Sequence, residues 1–385
     1  MSIAPAAIDG TVTKTFEAVR DAFAANFQRA GEDAELGAAL CVYVDGNCVV
    51  NLWGGFADAA RSRTWEETTL ANIWSGSKGI VAIAVAMLVD RGRLRYEDRV
   101  AQHWPEFAQA GKADVTVAQI LSHQSGLNGF AQPTTLLDFY DWDLVTSRLA
   151  AQATFWPTGT QASYHAMTYG FLAGELIRRV SGQDVGAFVR DEIARPLQAD
   201  IFIGLPEAFE PRVAEMVPAQ APALTSGPQP AEIPGRALTN PRLDPLAPNT
   251  RAWRAAQIPA ANGQASGRGI GRVYGAIAAG GALAGVRIIS PEGIDRLRHV
   301  LHRGPDLLLG ERYWAAGVSL NVAPAYGPHA ETFGHTGWGG SFGCADRQRR
   351  VGIGYVMNRM GGQLIGNPRG TSLATAIFTA VDAAG

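Results

Sequence analysis

Ser75-Gly76-Ser77-Lys78 places a hydroxyl group and one of only three lysines of the chain within one helical turn. A serine hydroxyl is a weak nucleophile and needs a base that takes its proton. If Ser75 begins a helix, Lys78 lies on the same face, about 4.5 Å along the axis. Burial would lower the pKa of that lysine, and the helix N-terminus would offer N–H groups to an oxyanion. The alternative is an N-cap serine beside a surface lysine, but the apolar run 80–89 predicts a buried helix.

Two further stretches carry groups that suit the same chemistry. Tyr164 follows the turn-forming residues 156–160 and precedes the apolar segment 169–180, so it can relay a proton from a fixed position. The alternative is a half-buried tyrosine that only packs. His335 lies in the glycine-rich stretch 334–340, and dense glycine within a strand pattern indicates close approach of a ligand to the backbone. A bulge at a sheet edge is the alternative there.

Three other sequence patterns give weaker evidence of a functional site. Ser341 lies in a Gly-x-Ser-x-Gly string, but that motif requires a strand-to-helix turn and no helix is predicted after it. Residues 267–271 resemble a phosphate loop, but their glycine spacing differs from Gly-x-Gly-x-x-Gly and no clear strand precedes them. His299 and His302 are expected to share a helix face without acidic ligands nearby, so they predict a surface pair and no metal site.

The elements that must position these groups follow from hydrophobic periodicity. Residues 38–44 and 48–53 form a predicted hairpin around Asp45-Gly46, and further strands are predicted at 313–320, 332–335 and 351–357. Helices are predicted at 11–29, 75–94, 117–121, 144–152, 169–180, 185–193, 270–281, 291–301 and 371–383.

The strand segments lie near both ends of the chain and helices lie between them. This order predicts an α+β fold, in which residues 1–85 and 285–385 form a sheet domain and residues 86–284 form a mostly helical domain. About half of the 21 prolines fall within residues 206–260. That region cannot be a regular helix, and it is too long for a simple connection, so we expect a functional loop or a wrap over the surface.

Composition excludes several classes of function. The net charge of −2 gives no attraction to a polyanion, so no nucleic-acid partner is expected. The longest apolar stretch, residues 79–89, is about half of what a bilayer requires, so no membrane partner is expected. Residues 1–27 lack the pattern of a signal peptide, which predicts a soluble, cytoplasmic protein. The cysteines Cys41, Cys48 and Cys344 are expected to be reduced, buried thiols, and in the hairpin register the first two would not lie opposite each other.

The order Ser-x-x-Lys, then Tyr, then His-Thr-Gly resembles the serine hydrolases of the penicillin-recognising superfamily. The resemblance covers nearly the whole chain and includes Leu121-Ser122-His123-Gln124-Ser125-Gly126-Leu127 and residues 159–164 and 333–358. The chain is similar to class C β-lactamases, D-alanyl-D-alanine peptidases and family VIII carboxylesterases. The resemblance implies an antiparallel sheet flanked by N- and C-terminal helices, with an all-helical domain beside it.

The resemblance also implies a role for each motif residue. Ser75 would be the acylated nucleophile, Lys78 and Tyr164 the base pair, and His335 would begin the strand triad that Thr336 and Gly337 complete. The amides of Ser75 and Trp338 would form the oxyanion hole. Substrate contacts are expected from His123, Trp74, Thr336, Gly337 and Trp338. An apolar acyl pocket is expected from Trp74, Phe155, Trp156, Trp338 and Phe342, although packing accounts for each of them singly.

Two departures from that pattern bear on the substrate. Many relatives carry Tyr-x-Asn, whereas this chain has Tyr164-His165-Ala166, and His335 stands where β-lactamases have lysine. The amide ligand and the fixed charge for a substrate carboxylate are therefore missing. We expect a carboxylesterase for small, short-acyl esters that needs no metal and no cofactor. The alternatives are a β-lactamase or D-amino-acid peptidase, or a catalytically silent binding protein on this fold. The sequence does not predict an oligomeric state.

Overall fold

The computed structural model describes residues 7–220, 232–322 and 325–384, and strands there come from both ends of the chain. The first six residues and residues 221–231 of the predicted proline-rich region lie outside the described part. The strands are β1 Ile8–Val12, β2 Gly37–Val44, β3 Asn47–Gly55, β4 Ala71–Asn72, β5 Ile201–Phe202, β6 Gln264–Ala265, β7 Ala282–Leu283, β8 Val286–Arg287, β9 His302–Asp306, β10 Gly310–Trp314, β11 Ser319–Leu320, β12 Phe333–Thr336, β13 Phe342–Asp346 and β14 Val351–Met357.

Nine of these strands form one antiparallel sheet in the order β1-β3-β2-β14-β13-β12-β11-β10-β9. Its centre joins the two ends of the chain, because β2 pairs with β14 from Val44↔Val351 to Ala38↔Met357. Among the described residues, β4, β6 and β5 form a small second sheet, and β7 and β8 form a two-stranded ribbon. The helix-flanked antiparallel sheet confirms the predicted α+β fold class.

Helices cover the sheet and fill the middle of the chain. The α-helices are α1 Glu17–Phe27, α2 Gly76–Asp90, α3 Val100–His103, α4 Val117–Leu121, α5 Trp142–Ala151, α6 Thr168–Ser181, α7 Val185–Val189, α8 Glu232–Thr239, α9 Arg251–Ala255, α10 Gly267–Ala278, α11 Pro291–Leu297 and α12 Pro368–Ala384. Shorter turns of 3-10 helix lie at Lys14–Phe16, Gly31–Asp33, Pro105–Gly111, Leu137–Tyr140, Glu207–Arg212 and Ala247–Asn249, and a π-helical turn lies at Arg190–Ala194.

Alternation along β2 gives the sheet two buried faces. Leu40 and Val42 point to one face, where they share a core with α1 and α12. Cys41 and Tyr43 point to the other face, where they join the larger core that includes α2, α6 and α10. The terminal helices therefore cover one side of the sheet, and the helix that follows Ser75 lies on the other.

The glycine string that resembled a phosphate loop is part of α10. Gly267, Gly271 and Gly275 recur at helical spacing, and a Cβ on any of them would lie 2.7–2.8 Å from a side-chain atom of β2. These glycines allow the helix backbone to lie directly on the sheet. Their role is close packing, and no phosphate-binding loop is formed.

Three predicted boundaries are wrong. The helix expected from residue 11 begins at Glu17, because residues before it form β1 and pair Val12 with Val50. The helix expected over residues 291–301 ends at Leu297, and His302 begins β9, so His299 and His302 share no helix face. The predicted strand 313–320 is divided into β10 and β11. The edge strands β1 and β9 and the interior strand β13 were not predicted, because short strands with glycine or proline carry little alternation.

Helices also occur in the proline-rich region, where α8 and α9 are short and a 3-10 turn covers Glu207–Arg212. Proline is compatible with the first turn of a helix and with short turns, which is why the region forms pieces instead of a continuous helix. Within the part of the chain that the structure describes, no helix combines the length and the apolar character that crossing a bilayer requires.

Candidate active site

Ser75 is the residue immediately before α2, so it stands at the N-terminus of that helix. Residues 76–89 of α2 are all buried, as expected of a helix that is apolar on every side. The Ser77 hydroxyl secures the turn, since it donates to Trp74 O at 2.6 Å and accepts from Gly263 N–H at 2.9 Å. Trp74 has a left-handed φ of 46°, a conformation that persists only where the surroundings enforce it. A packed helix and a constrained turn therefore hold Ser75 in place.

Lys78 is fully buried, and its Nζ lies within hydrogen-bond distance of three oxygen atoms. These are Ser75 Oγ at 3.2 Å, Ala166 O at 2.7 Å and Ala260 O at 2.9 Å. A carbonyl oxygen can only accept, so two N–H bonds of the amine point to the carbonyls. Burial lowers the pKa of Lys78 well below its ordinary value. A neutral amine in this position directs its lone pair at the Ser75 hydroxyl and can take its proton.

Tyr164 lies against this pair. The Lys78 Nζ is 4.9 Å from the centre of the Tyr164 ring, and the ring stacks on Trp314 at 5.8 Å between centroids. Burial raises the pKa of Tyr164, and a hydrogen bond with Ser75 opposes that rise. The phenol is therefore protonated near neutral pH, and it can donate a proton to a leaving group.

His335 lies on β12 beside the same residues and is almost fully buried. Its Nδ1 is 2.8 Å from Thr336 O, which can only accept, so Nδ1 carries the proton. Burial, and then the charge of Lys78, lower the pKa of His335 to about 3. Nε2 is a buried lone pair that has no partner among the described residues. The imidazole is thus neutral and presents an acceptor.

His123 and His165 form a second buried pair behind Tyr164. His123 Nδ1 accepts from the His165 backbone N–H at 3.1 Å, and its ring meets the Tyr164 ring edge-to-face at 5.0 Å. His165 Nδ1 donates to Ser163 O, and its Nε2 accepts from the Ser125 hydroxyl, both at 2.7 Å. Burial lowers the pKa of both histidines, that of His165 to about 4. Both imidazoles are therefore neutral, and the His123 ring packs directly against Tyr164.

The turn after β12 brings backbone amides close to the start of α2. The Trp74 and Trp338 rings meet at 4.9 Å, and a Cβ on Gly337 would lie 2.2 Å from Ile73 O, so the two backbones are in close contact. The backbone N–H groups of Ser75 and Trp338 have no acceptor among the described residues. Two N–H groups in such a position can stabilise an oxyanion.

Ser341 lies in the same turn and is buried. Its hydroxyl donates to Ile73 O at 3.2 Å, while Gly337 N–H donates to Ser341 O at 2.7 Å. No basic side chain of the described residues accepts from this hydroxyl. Ser341 therefore ties the turn to the segment before Ser75.

Ser75 opens into a cleft with an empty volume of about 510 Å³. The polar residues that line it are Ser75, Tyr164, Arg312, Ser319, His335 and Thr336. The apolar and aromatic residues are Leu309, Trp314, Leu320, Ala325, Tyr326, Leu364 and Ile365. The cleft thus combines polar residues with apolar ones that can contact a small acyl or alkyl group.

The aromatic residues expected in the acyl pocket do not line this cleft. Trp74 packs between Trp253 and Trp338 in the core. Phe342 points to the opposite side of the sheet, where it contacts Tyr355. The apolar lining comes instead from Leu309, β10, β11, residues 325–326 and residues 364–365, which lie outside the three motifs. His123, Gly337 and Trp338 also lie outside the lining.

Asp306 and Arg312 are two residues of the site that sequence reasoning missed. The buried Asp306 carboxylate accepts from the backbone N–H groups of Tyr164, Leu308 and Leu309 and from Trp314 Nε1, at 2.9–3.2 Å. It therefore fixes Tyr164 and part of the cleft wall. Its only sequence signal is an aspartate followed by three leucines, which does not distinguish it from an ordinary turn.

Arg312 contributes a positive charge to the cleft wall. Its guanidinium donates to Glu311 O at 2.7 Å and ion-pairs with no carboxylate of the described residues. Burial lowers the pKa of Arg312, and the nearby Asp306 opposes that change. An arginine on a short strand carries no signal that would single it out in the sequence.

The chain is similar in sequence and in structure to several known proteins. The profile of the β-lactamase family matches residues 23–375. The chain is 35% identical over 376 residues to the esterase/β-lactamase LipL of Mycobacterium tuberculosis, a match that covers 91% of this chain and 83% of that protein. A crystal structure of a family VIII carboxylesterase is 45% identical and superposes with a TM-score of 0.92, covering 97% of this chain and all of that chain. A penicillin-binding protein homologue from Caulobacter crescentus is 42% identical, with a TM-score of 0.89 over 97% of this chain and 100% of that chain.

Proposed function

The chain belongs to the β-lactamase family and is a serine hydrolase, and we propose that it is a carboxylesterase that cleaves small, short-acyl esters through an acyl-enzyme on Ser75. The observation that carries the proposal is the contact between Lys78 Nζ and Ser75 Oγ at 3.2 Å, with the other two contacts of the amine made to carbonyls. Because its other two partners are uncharged carbonyls, Lys78 can stay neutral and act as the base for Ser75.

In the proposed acylation step, Ser75 Oγ attacks the ester carbonyl carbon and its proton moves to Lys78. The carbonyl oxygen becomes an oxyanion, for which the amides of Ser75 and Trp338 are available. The Tyr164 hydroxyl protonates the departing alkoxide, and the proton held by Lys78 restores the phenol. The products of this step are an alcohol and the acyl-enzyme.

Deacylation repeats these reaction steps with water as the nucleophile. Water attacks the acyl carbon and gives its proton to the same base pair, and Ser75 Oγ leaves and is reprotonated. The net reaction is ester plus water to carboxylic acid plus alcohol. Both steps need Lys78 neutral at the start, which its burial favours.

The neutral His335 supports esters over anionic substrates. Its Nδ1 proton is committed to Thr336 O, so only the Nε2 lone pair faces the site, and a lone pair repels a carboxylate. Ala166 stands where many relatives carry asparagine, so no side-chain amide at this position can bind a substrate amide. The apolar wall of the cleft supports a small acyl group.

The position of Arg312 on the cleft wall favours a second candidate function, which is β-lactam hydrolysis. It supplies the cleft with a positive charge that the strand triad lacks, and LipL is itself named an esterase/β-lactamase. A β-lactam carboxylate at Arg312 would need no change in the chemistry at Ser75. The rates for a short p-nitrophenyl ester and for a chromogenic cephalosporin distinguish the two candidates, since the proposal requires the ester to be the better substrate.

A silent binding protein is the alternative from another class, and the intact Ser75, Lys78 and Tyr164 argue against it. A fluorophosphonate provides the test, because it labels only an activated serine. We expect one adduct, on Ser75, and none in Ser75→Ala. An unlabelled native protein would overturn the proposal. A panel of p-nitrophenyl esters of increasing acyl length then tests the short-acyl preference.

A further inference from the structure

Two cysteines of the first hairpin lie side by side at the edge of the core. Cys41 on β2 is fully buried and Cys48 on β3 is exposed, so the expectation of three buried thiols is wrong for Cys48. As predicted, they are not opposite in register, because Cys41 pairs with Asn51 and Cys48 with Tyr43. Tyr43 and Cys41 share one face of β2, which makes the cysteines diagonal neighbours on that face.

The two sulfur atoms are 3.9 Å apart. A disulfide needs about 2.05 Å between them, and rotation of the exposed Cys48 side chain is a motion that can shorten the separation. A register irregularity between Val42 and Tyr43 brings the diagonal pair closer than a regular ladder would. The hairpin therefore holds an exposed thiol and a buried thiol in contact with each other.

The surroundings favour a thiolate on the exposed member. A hydrogen bond from Cys41 lowers the pKa of Cys48 to about 7, and the charges of Arg268 and Arg272 act in the same direction, while burial opposes them. The same hydrogen bond, together with burial, raises the pKa of Cys41. Tyr43 is the other titratable group at this place, and it stays protonated because burial raises its pKa to about 12.

We propose that Cys48 and Cys41 form a site of reversible oxidation, in which Cys48 reacts with a hydroperoxide and Cys41 resolves the product to an intramolecular disulfide. In the first step, the Cys48 thiolate attacks one oxygen of hydrogen peroxide, the O–O bond breaks and hydroxide leaves, which gives a sulfenic acid. In the second step, the Cys41 sulfur attacks the Cys48 sulfur, and hydroxide departs and takes the Cys41 proton. Two thiols and one peroxide thus become one disulfide and two waters, and an external dithiol reverses the change.

This site is separate from the proposed catalytic machinery. Cys41 packs against Gly271 of α10, and neither cysteine lines the cleft at Ser75. Because β2 and β3 are already paired there, the disulfide joins segments that are held together in the reduced protein. We therefore expect oxidation to leave ester hydrolysis within about twofold of the reduced enzyme, so a failure of this proposal and a failure of the proposed function are distinguishable.

The test uses the purified full chain and hydrogen peroxide, followed by peptide mass spectrometry. We expect a linked Cys41–Cys48 peptide that disappears after dithiothreitol, and preferential labelling of Cys48 when the reduced native protein meets a limiting amount of iodoacetamide. Cys48→Ala should lose the link, and Cys344→Ala is the matched control that should keep it. In Cys41→Ala, dimedone should capture a sulfenic acid on Cys48.

Three results would overturn the proposal. The first is oxidised protein with no Cys41–Cys48 peptide, and the second is a disulfide only between two molecules through Cys48. The third is a Cys344→Ala protein that no longer forms the intramolecular link. Cys48→Ala changes an exposed side chain, so its outcome does not depend on refolding of the core.

Discussion

Lys78 Nζ lies 3.2 Å from Ser75 Oγ, while Ala166 O and Ala260 O take the other two hydrogen bonds of the amine. The carbonyls come from the loop after Tyr164 and from the loop before β6, so two distant segments orient one nitrogen. Because both N–H bonds of the neutral amine point to carbonyls, its lone pair points to the Ser75 hydroxyl.

The first prediction concerns which serine is acylated. Ser75→Ala should lower kcat for a p-nitrophenyl ester by at least about 10³-fold, since the covalent route is lost. Ser341→Ala is the matched control, because Ser341 only donates to Ile73 O. It should keep most of the activity and lose about 1 kcal/mol of stability. Mass spectrometry of the trapped acyl-enzyme checks the assignment, and an adduct on Ser341 would contradict it.

The second prediction is a pH dependence set by Lys78. Below its pKa in the folded protein, Lys78 is an ammonium with no lone pair, so kcat/KM should fall as the pH falls. Because burial lowers that pKa, the activity should reach its plateau at a pH well below 10.5, the ordinary value for lysine. His335 has a pKa of about 3 and His165 of about 4, so neither should titrate near pH 6.5.

A pH–rate profile for a neutral ester, in the native enzyme and in Lys78→Ala, measures this dependence. Lys78→Ala should lose the rising limb together with about 10²–10⁴-fold in kcat. His335→Gln is the control that should keep the limb. A limb that survives in Lys78→Ala and disappears in His335→Gln would assign the base to the histidine.

The third prediction is that Tyr164 and Lys78 act as one proton relay. Tyr164→Phe should lower kcat by about 10²-fold or more while KM changes little, because the hydroxyl works on the leaving group. The double variant Tyr164→Phe, Lys78→Ala should be little worse than the poorer single variant. If the two losses in kcat multiply, the residues have independent roles. A near-normal kcat in Tyr164→Phe would show that the tyrosine only packs.

The fourth prediction uses His335 to test selectivity between substrates. His335→Lys replaces a neutral acceptor by a cation at the site, so hydrolysis of neutral esters should weaken and recognition of anionic β-lactams should improve. The gain should be modest, about tenfold or less, since a partly solvated charge pair contributes about 1 kcal/mol or less. The measurement is kcat/KM for a short ester and for a cephalosporin in both enzymes. An unchanged ratio would show that residue 335 does not face the substrate carboxylate.

The fifth prediction concerns Arg312 on the cleft wall. Arg312→Gln keeps a polar side chain but removes the charge, so any residual cephalosporin hydrolysis should fall about tenfold or more, with the loss mainly in KM. Hydrolysis of a neutral p-nitrophenyl ester should stay within about twofold. Arg303 is a suitable control, because it lies on the neighbouring strand β9 and does not line the cleft. An equal loss on both substrates would indicate that Arg312 only supports the wall.

The sequence allowed the fold class and the strands β2 and β14 to be predicted, because a strand that is buried on both faces of a sheet forms a continuous apolar run. The strand expected at 351–357 and the helix expected at 117–121 match the structure residue by residue. The edge strands and the start of α1 escaped prediction. At an edge, pairing with a neighbour decides whether a segment is extended, as the pairing of Val12 with Val50 shows.

By itself, the sequence determined the spacing of Ser75 and Lys78, because three residues of helix always place two side chains on one face. It also determined the chemistry of the three motifs, since residue types are local properties. Only the tertiary structure decided that Lys78 is buried between two carbonyls, that Asp306 holds Tyr164, and that Arg312 faces the cleft. These relationships join residues that lie tens to hundreds of positions apart, and packing, which sets burial and pKa, is a property of the whole chain.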